Sequence, residues 1–182
     1  MKITTKQVLT LLLILTWVIF IGVCIEAGGV LFSAFYTLFI NSVNAENFWV
    51  GNDLTELYAL DRGYFAVEAL LIGIASTLKA VMFYLILSML YSKKLRISQP
   101  FSREMRRFIL RLSGLTLGIG VFTGWGVRYT AWLAGKGISM PDTQQLHLGG
   151  ADVWVFMAVI LLIIAEIFKR GIEMQAENEL TI

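Results

Sequence analysis

The chain of 182 residues is 57% hydrophobic and 15% charged, and its formal net charge is +2. Four apolar segments approach or exceed the roughly 20 residues that a bilayer-spanning helix needs, so little sequence remains for a soluble domain. The single cysteine, Cys24, excludes an internal disulfide and a cysteine-based metal site. Basic residues gather in short clusters beside the apolar runs, which indicates a bilayer as partner and argues against direct binding of nucleic acid.

The first apolar run is predicted to form an uncleaved membrane helix that spans residues 8–32. The apolar core of a secretory signal is only about 7–15 residues long, whereas this run continues to Ile40. A helix of that length, at about 1.5 Å per residue, exceeds the roughly 30 Å hydrocarbon core of a bilayer. It therefore tilts strongly, projects beyond the membrane or bends near Gly28 and Gly29.

An acidic loop, residues 41–62, follows the first span and carries four acids against one arginine. Asp53 and Glu56 have the spacing of a capping box, in which the two side chains satisfy N–H groups at the start of a helix. The pattern predicts a short helix that begins after Asp53.

The second span is predicted at residues 63–91, and a strongly basic block follows it. Residues 93–111 hold seven of the fifteen lysines and arginines and only one acid. Such a block between two apolar runs is typical of a cytoplasmic loop, which we place at residues 92–107. Ser102 is predicted to cap the helix that comes next.

Four arginines of this block are candidates for contact with lipid headgroups or with a partner. They are Arg103, Arg106, Arg107 and Arg111. Three of them are spaced by four residues and so share one side of a helix. One interpretation is attraction to anionic headgroups, at about 1 kcal/mol for each basic residue. The other is an ordinary anchor at the cytoplasmic end of a span.

The third and fourth spans are predicted at residues 108–133 and 153–168, with a polar loop between them and a tail at residues 169–182. Four glycines of the third span form two pairs spaced by four residues, which favours close helix packing over a phosphate-binding loop. The pairs are Gly114 with Gly118 and Gly120 with Gly124. The loop carries the only histidine, His147, and the lack of further ligands at metal-binding spacing predicts no metal site.

The distribution of basic charge predicts that both termini are cytoplasmic. Eleven lysines and arginines fall in segments that we place inside, namely the first six residues, the central block and the pair Lys169 and Arg170. Three are placed outside, namely Arg62, Arg128 and Lys136. The sequence therefore predicts an all-α, integral membrane four-helix bundle, with residues 1–182 as a single domain.

Four charged residues are predicted to lie within the spans, where a charge costs roughly 2.5–3.5 kcal/mol on insertion scales. They are Glu26, Glu68, Lys79 and Arg128. Counted along the helices from the basic cytoplasmic ends, Glu26 and Arg128 share a depth, so we predict that they interact. Lys79 is predicted to face the bundle interior and to lean toward Glu68 or Glu26. Such a group serves either as a structural polar network or as an ion, proton or small-solute site.

The chain ends in an apolar helix, then Phe-basic-basic-Gly at residues 168–171, then an acidic stretch that closes on Leu180 and Thr181. A Gln-Pro-Phe turn at residues 99–101 follows the second span. Together these motifs resemble the bacterial domain-of-unknown-function 2975 family. The resemblance implies a four-helix protein of the bacterial cytoplasmic (inner) membrane and suggests a small helix-turn-helix DNA-binding regulator as a neighbour. It implies no particular activity, cofactor or catalytic residue.

The leading hypothesis for function is a non-enzymatic accessory or signalling protein. The sequence contains no recognisable nucleophile–base pair or metal cluster, so we predict neither an enzyme nor a cofactor. The cytoplasmic loop and the tail are the segments expected to contact a regulator protein. The alternative is a small transporter, channel or immunity-type protein that uses the charges within the spans.

Overall fold

The structure is a computed structural model that describes residues 5–91 and 101–179. These residues form five α-helices and one short 3-10 helix, and they contain no strand. The helices are α1 Thr5–Phe39, the 3-10 helix Ser42–Asn47, α2 Thr55–Leu60, α3 Arg62–Tyr91, α4 Arg103–Gly135 and α5 Ala151–Glu179. Of these, α1, α3, α4 and α5 are long and apolar enough to cross a bilayer. The predicted all-α membrane fold with four spanning helices is confirmed.

The outer spans are longer than the sequence predicted. α1 continues as one helix past Gly28 and Gly29, so these glycines do not end it. α5 runs on through most of the tail that was placed at residues 169–182. Its last three residues, 180–182, and the central segment 92–100 lie outside the described residues.

α4 begins inside the segment that was predicted to be a loop. Its first residue is Arg103, and the Ser102 hydroxyl accepts a hydrogen bond from the N–H of Met105 at 3.2 Å. The predicted N-cap is therefore confirmed, because this oxygen satisfies one of the N–H groups that the first turn leaves without a helical partner. As a result, all four candidate arginines lie on a helix.

The four spanning helices pack in the order of the chain. α1 packs on α3, α3 on α4, and α4 on α5. Within the described residues, α1 contacts neither α4 nor α5. The inner helices α3 and α4 are therefore more buried, while α1 and α5 leave most of their apolar side chains for lipid.

One end of the bundle is covered by the cap, which we define as residues 40–61 and 136–150. The Glu56 carboxylate joins the two halves of the cap, since its Oε2 atom accepts a hydrogen bond from the N–H of Ser139 at 2.8 Å. The Asn52 amide donates to the carbonyl oxygen of Gln145 at 3.3 Å. Large buried apolar side chains lie beneath these bonds: Phe48, Leu54, Leu57, Phe65, Leu133, Leu146 and Leu148. The best-packed core of the protein is therefore made by its loops and the adjoining helix ends.

The predicted capping box at Asp53 and Glu56 is wrong, because the N-cap of α2 is Leu54 and it has no side-chain cap hydrogen bond. The Asp53 carboxylate does accept a hydrogen bond from the N–H of Thr55 at 2.9 Å, and hydrogen bonds from Thr55 lower the pKa of Asp53 below its ordinary value. Glu56 instead reaches across to Ser139. A carboxylate at this position finds a long-range N–H donor in the other loop, which local spacing could not indicate.

The cap also packs directly on α1. The indole ring of Trp49 lies against Gly29, where any β-carbon would clash with the ring. Asn44 donates a hydrogen bond to the Thr37 hydroxyl at 3.0 Å. Gly29 therefore provides the close approach that a larger side chain would prevent.

At the opposite end of the bundle, an aromatic residue just before α4 packs on an aromatic residue of α5. The ring centroids of Phe101 and Phe168 are 5.3 Å apart in an edge-to-face arrangement. Gly171 is buried, and a β-carbon at that position would clash with the Phe101 ring. Phe168 and Gly171 belong to the motif at the end of the chain and Phe101 to the turn motif, so the two motifs pack on each other.

The second glycine pair of α4 faces the start of α5. A β-carbon on Gly120 would lie 2.7 Å from Val155 Cγ2 and 3.1 Å from the carbonyl oxygen of Ala151. Gly124 lies one turn later on the same face, with the Ala151 β-carbon at 3.6 Å. The close approach of the two backbones therefore depends on the missing side chain at Gly120, whereas a β-carbon on Gly124 would make an ordinary van der Waals contact.

The first glycine pair of α4 contributes less than its spacing suggested. A β-carbon on Gly118 would meet Leu78 Cδ1 of α3 at 3.3 Å, whereas Gly114 has no atom within 4 Å. The predicted packing role therefore applies to Gly118 but not to Gly114.

Orientation in the membrane is the first testable prediction. Fusions of a cytoplasm-only reporter at Gln99 and Ile182 are expected to be active, and fusions at Gly51 and Pro141 inactive, because basic residues favour the cytoplasmic side. Gly51 and Pro141 line one groove of the cap, so these two fusions must behave alike. Activity at Pro141 would contradict the predicted orientation, and different outcomes at the two cap positions would contradict the fold.

Candidate functional site

Two of the four charged residues of the spans, Glu26 and Lys79, meet the cap next to α1. The Glu26 Oε1 atom lies 2.9 Å from Nδ1 of His147 and 3.8 Å from Nζ of Lys79. The Ser76 hydroxyl, one turn before Lys79 on α3, donates a hydrogen bond to the same oxygen at 3.3 Å. We call these four residues the Glu26 cluster, and it joins α1, α3 and the second loop of the cap.

Lys79 also binds the main chain of the cap loop that carries His147. Its ammonium group donates a hydrogen bond to the main-chain carbonyl oxygen of His147 at 3.0 Å. The side chains of Lys79 and Glu26 are 14% and 18% exposed, while that of His147 is 40% exposed. A carboxylate and an ammonium group in one shielded cluster compensate each other, which reduces the cost of placing them in a span.

His147 is positioned by its neighbours in the chain. Leu146 and Leu148 are both almost fully buried in the core beneath the cap. The backbone of His147 has a φ of 57°, in the left-handed region that residues other than glycine rarely adopt. Hydrogen bonds from the N–H groups of Leu146, His147 and Leu148 close turns within residues 142–148. Such a conformation persists where the surroundings determine it, and here it directs the imidazole toward Glu26.

The Glu26 cluster is built from complementary donors and acceptors. A carboxylate can only accept, so Nδ1 of His147 carries the proton in the contact with Glu26. Within the described part of the chain, no three His, Cys, Asp or Glu residues gather in a possible metal site. The ammonium group of Lys79 beside the carboxylate is the partner that balances its charge.

Glu68 lies on the other side of α3 and faces α4. Its side chain is fully buried, and its Oε1 atom is 2.7 Å from the hydroxyl of Thr130. The same hydroxyl is 2.9 Å from the carbonyl oxygen of Gly126. The Thr130 hydroxyl has one proton, so it donates to only one of these two oxygens at a time. The Oε2 atom of Glu68 has no hydrogen-bond partner among the described residues.

Arg128 is not part of the Glu26 cluster, and the predicted contact between Glu26 and Arg128 is wrong. Arg128 is exposed and forms no ion pair with any described residue. The two residues belong to α1 and α4, which are not in contact because α3 lies between them in the packing order. The rise along a helix predicts depth, but it does not predict which helices are neighbours.

A known protein family matches most of the chain. A family model described as "Protein of unknown function (DUF2975)" matches residues 49–182. The chain belongs to this family. No curated protein and no solved structure matches it.

The match covers most of the cluster in this DUF2975 protein. Ser76, Lys79 and His147 lie within residues 49–182, whereas Glu26 lies before them. The contact between Phe101 and Phe168 also lies within the match. The matched segment therefore contains the loop, α3 and the aromatic contact at the other end, but not α1.

The four candidate arginines occupy the first turns of α4. Arg103, Arg107 and Arg111 are exposed, while Arg106 is partly buried and its Nε atom has no hydrogen-bond partner among the described residues. They lie at the end of the bundle opposite the cap. None of the four forms an ion pair with a described residue.

Two residues of the Glu26 cluster were not predicted as site residues. Ser76 could have been found, because it lies one turn before Lys79 and so shares its face of α3. His147 carried no usable signal, since its role depends on a loop that returns to α1 and α3 from far along the chain. The sequence indicated only that it was a histidine without further metal ligands.

Proposed function

We propose that this DUF2975 protein is a non-enzymatic accessory or signalling protein of the bacterial cytoplasmic membrane, which couples its cap to its cytoplasmic tail. The observation that carries the proposal is the double attachment of His147 to Glu26 and Lys79. The loop is joined to α1 by the contact between His147 and Glu26 and to α3 by the hydrogen bond from Lys79, so it cannot shift without changing the surroundings of both Glu26 and Lys79. The cluster is therefore a place where an event at the cap alters the helix bundle.

The order in which the helices pack connects the Glu26 cluster to the end of the bundle opposite the cap. α1 and α3 hold the cluster, α3 packs on α4, and α4 packs on α5. At the far end Phe101, just before α4, packs on Phe168 and Gly171 of α5. Packed helices move as bodies rather than deforming continuously, so a shift of α3 is passed to the end of α5.

The end of α5 has the charge that suits a basic partner. Beyond Lys169 and Arg170 the helix exposes the acids Glu173 and Glu177, and Glu173 lies 4.0 Å from the Arg170 guanidinium group in an exposed pair that a basic partner would have to replace. A small helix-turn-helix regulator must carry a basic surface to bind DNA. The acidic helix end complements such a surface, and occupying it would compete with binding to DNA.

Co-expression of the full chain with a small helix-turn-helix regulator, the partner that the family resemblance suggests, tests this interaction. Affinity capture from solubilised membranes is expected to recover that protein. Replacing Glu173 and Glu177 together with glutamine is expected to lower capture about fivefold, because two exposed ion pairs are lost. The matched control replaces two exposed acids of the cap, Glu46→Gln and Asp142→Asn, and should leave capture unchanged.

Coupling is tested with His147→Ala and a reporter gene controlled by the captured protein. This variant keeps the whole tail, so it is expected to change reporter output while capture stays the same. Failure of the wild-type chain to capture the regulator, or equal losses in both double variants, would contradict the regulator as partner. Unchanged reporter output in His147→Ala would contradict coupling through the cluster.

A second candidate, a small transporter, channel or immunity-type protein, is favoured by one observation. Glu68 is fully buried between α3 and α4, and its Oε2 atom has no hydrogen-bond partner among the described residues. A carboxyl group in such a place marks proton pathways in many membrane proteins. Proton flux into liposomes that contain the full chain, lost in Glu68→Gln, would favour this candidate over signalling.

A further inference from the structure

A groove of about 280 Å³ lies between the last turns of α3 and the first turns of α4, at the end of the bundle opposite the cap. Each helix contributes apolar surface to the groove, with Leu85 from α3 and Phe108 from α4. The polar residues at the groove are Ser88, Glu104, Arg107 and Arg111. The groove is therefore amphiphilic, and it lies where two spanning helices reach the membrane surface.

We propose that this groove binds one anionic phospholipid, with the phosphate held by Arg107 and Arg111. These two residues are one helical turn apart on α4, both are exposed, and neither forms an ion pair with a described residue. The planar guanidinium group offers a fork of N–H donors that matches phosphate oxygens. Two guanidinium groups that are one helical turn apart can donate hydrogen bonds to the same phosphate group.

The apolar lining favours a lipid over a soluble phosphate as the occupant. Leu85 lies about one turn further into the span than Ser88, and Phe108 lies beside Arg107 on α4, so an acyl chain can cover both side chains in a bilayer. A free phosphate would use the arginines and leave this apolar surface uncovered. A phospholipid covers both parts of the groove with one molecule.

Glu104 restricts the kind of headgroup. The three charged side chains at the groove, Glu104, Arg107 and Arg111, sum to a formal charge of +1, which a headgroup with one negative charge neutralises. The Glu104 carboxylate can only accept hydrogen bonds, and the glycerol hydroxyls of phosphatidylglycerol can donate them. Phosphatidylethanolamine can also donate to Glu104 through its ammonium group, but it has no net charge and leaves the +1 of the groove uncompensated, so phosphatidylglycerol is the better match.

A lipid bound in the groove can be distinguished from a diffuse attraction of the basic stripe to a charged membrane surface. Arg103 belongs to the same stripe, one turn before Arg107, and is also exposed, but it does not line the groove. A diffuse attraction depends on all three arginines alike. A bound lipid depends on Arg107 and Arg111 and is indifferent to Arg103.

The test is titration of the purified full chain with phosphatidylglycerol in a non-ionic detergent, followed by native mass spectrometry. One tightly bound lipid is expected. Arg107→Gln and Arg111→Gln are each expected to raise its Kd about fivefold, the effect of about 1 kcal/mol for each basic residue. Arg103→Gln is the matched control and is expected to leave the Kd unchanged.

Two molecules that compete with phosphatidylglycerol test whether the groove recognises the headgroup and the acyl chain. Phosphatidylethanolamine and glycerol phosphate are each expected to displace the bound lipid poorly. Equal losses in all three arginine variants would overturn the proposal in favour of diffuse attraction. Tighter binding of phosphatidylethanolamine, or displacement by glycerol phosphate at concentrations like those of the lipid, would overturn the assigned headgroup or the lipid itself. Unchanged thermal unfolding of the variants without lipid shows that the Kd values report on the groove.

Discussion

Gly120→Leu is expected to lower the free energy of unfolding by about 3 kcal/mol, near the upper end of the usual cost of overpacking. A β-carbon on Gly120 would already lie 2.7 Å from Val155 Cγ2 and 3.1 Å from both the Ala151 carbonyl oxygen and the Val155 nitrogen. Two of these three atoms belong to the backbone of α5, so no side-chain rotation can relieve the contact. The leucine must instead push α5 away from α4 and open the interface between them.

Two glycines of the same helix serve as controls in thermal unfolding of the purified chain. Gly114→Leu is expected to change stability by no more than about 0.5 kcal/mol, because a β-carbon added there would have no atom within 4 Å. Gly118→Leu should fall between the two, since only the end of the Leu78 side chain must move. Equal losses for the substitutions at Gly114 and Gly120 would show that α4 and α5 do not meet at Gly120.

Lys79→Met is the second substitution with a large expected effect, a loss of about 3 kcal/mol in the free energy of unfolding. It leaves the Glu26 carboxylate without its ammonium partner, and it removes the hydrogen bond to the carbonyl oxygen of His147. An uncompensated charge in a shielded part of a span is costly, and the methionine fills similar volume, so packing alone does not explain the loss.

Arg128→Gln is the control for Lys79→Met, because it also removes one basic side chain from a span. Arg128 is exposed and forms no ion pair with a described residue, so a change within about 0.5 kcal/mol is expected. A loss for Arg128→Gln as large as that for Lys79→Met would mean that Arg128 has a buried acidic partner, and it would restore the pairing predicted from helix depth.

The spanning helices were predictable because their signal is local. A run of about 20 apolar residues predicts a span wherever it occurs, and Ser102 predicted the start of α4 through its own hydroxyl. The paired glycines of α4 were predicted in the same way. Which pair packs depends on where α5 lies, and a spacing of four residues at Gly114 and at Gly120 does not contain that information.

The site was less predictable because it depends on contacts between distant segments. Glu26, Lys79 and Glu68 were found from the cost of charges in lipid. Their partners were not all found, since helical rise predicts depth but not which helices are neighbours. His147 reaches Glu26 through a turn with a left-handed residue between two buried leucines. Glu56 likewise found Ser139 in the other loop rather than its local capping partner.

The most direct test of attachment between the cap and the spans is a double-mutant cycle on Glu26 and His147, measured by unfolding of the full chain in detergent or bilayer. The variants are Glu26→Gln, His147→Ala and the combination. The 2.9 Å contact between His147 Nδ1 and the Glu26 carboxylate predicts a coupling energy of about 1.5 kcal/mol, the size of a polar contact with a charged group, so the double variant should lose less stability than the sum of the single losses. Strictly additive losses would contradict the account, because they would mean that the loop and α1 do not meet at these two side chains.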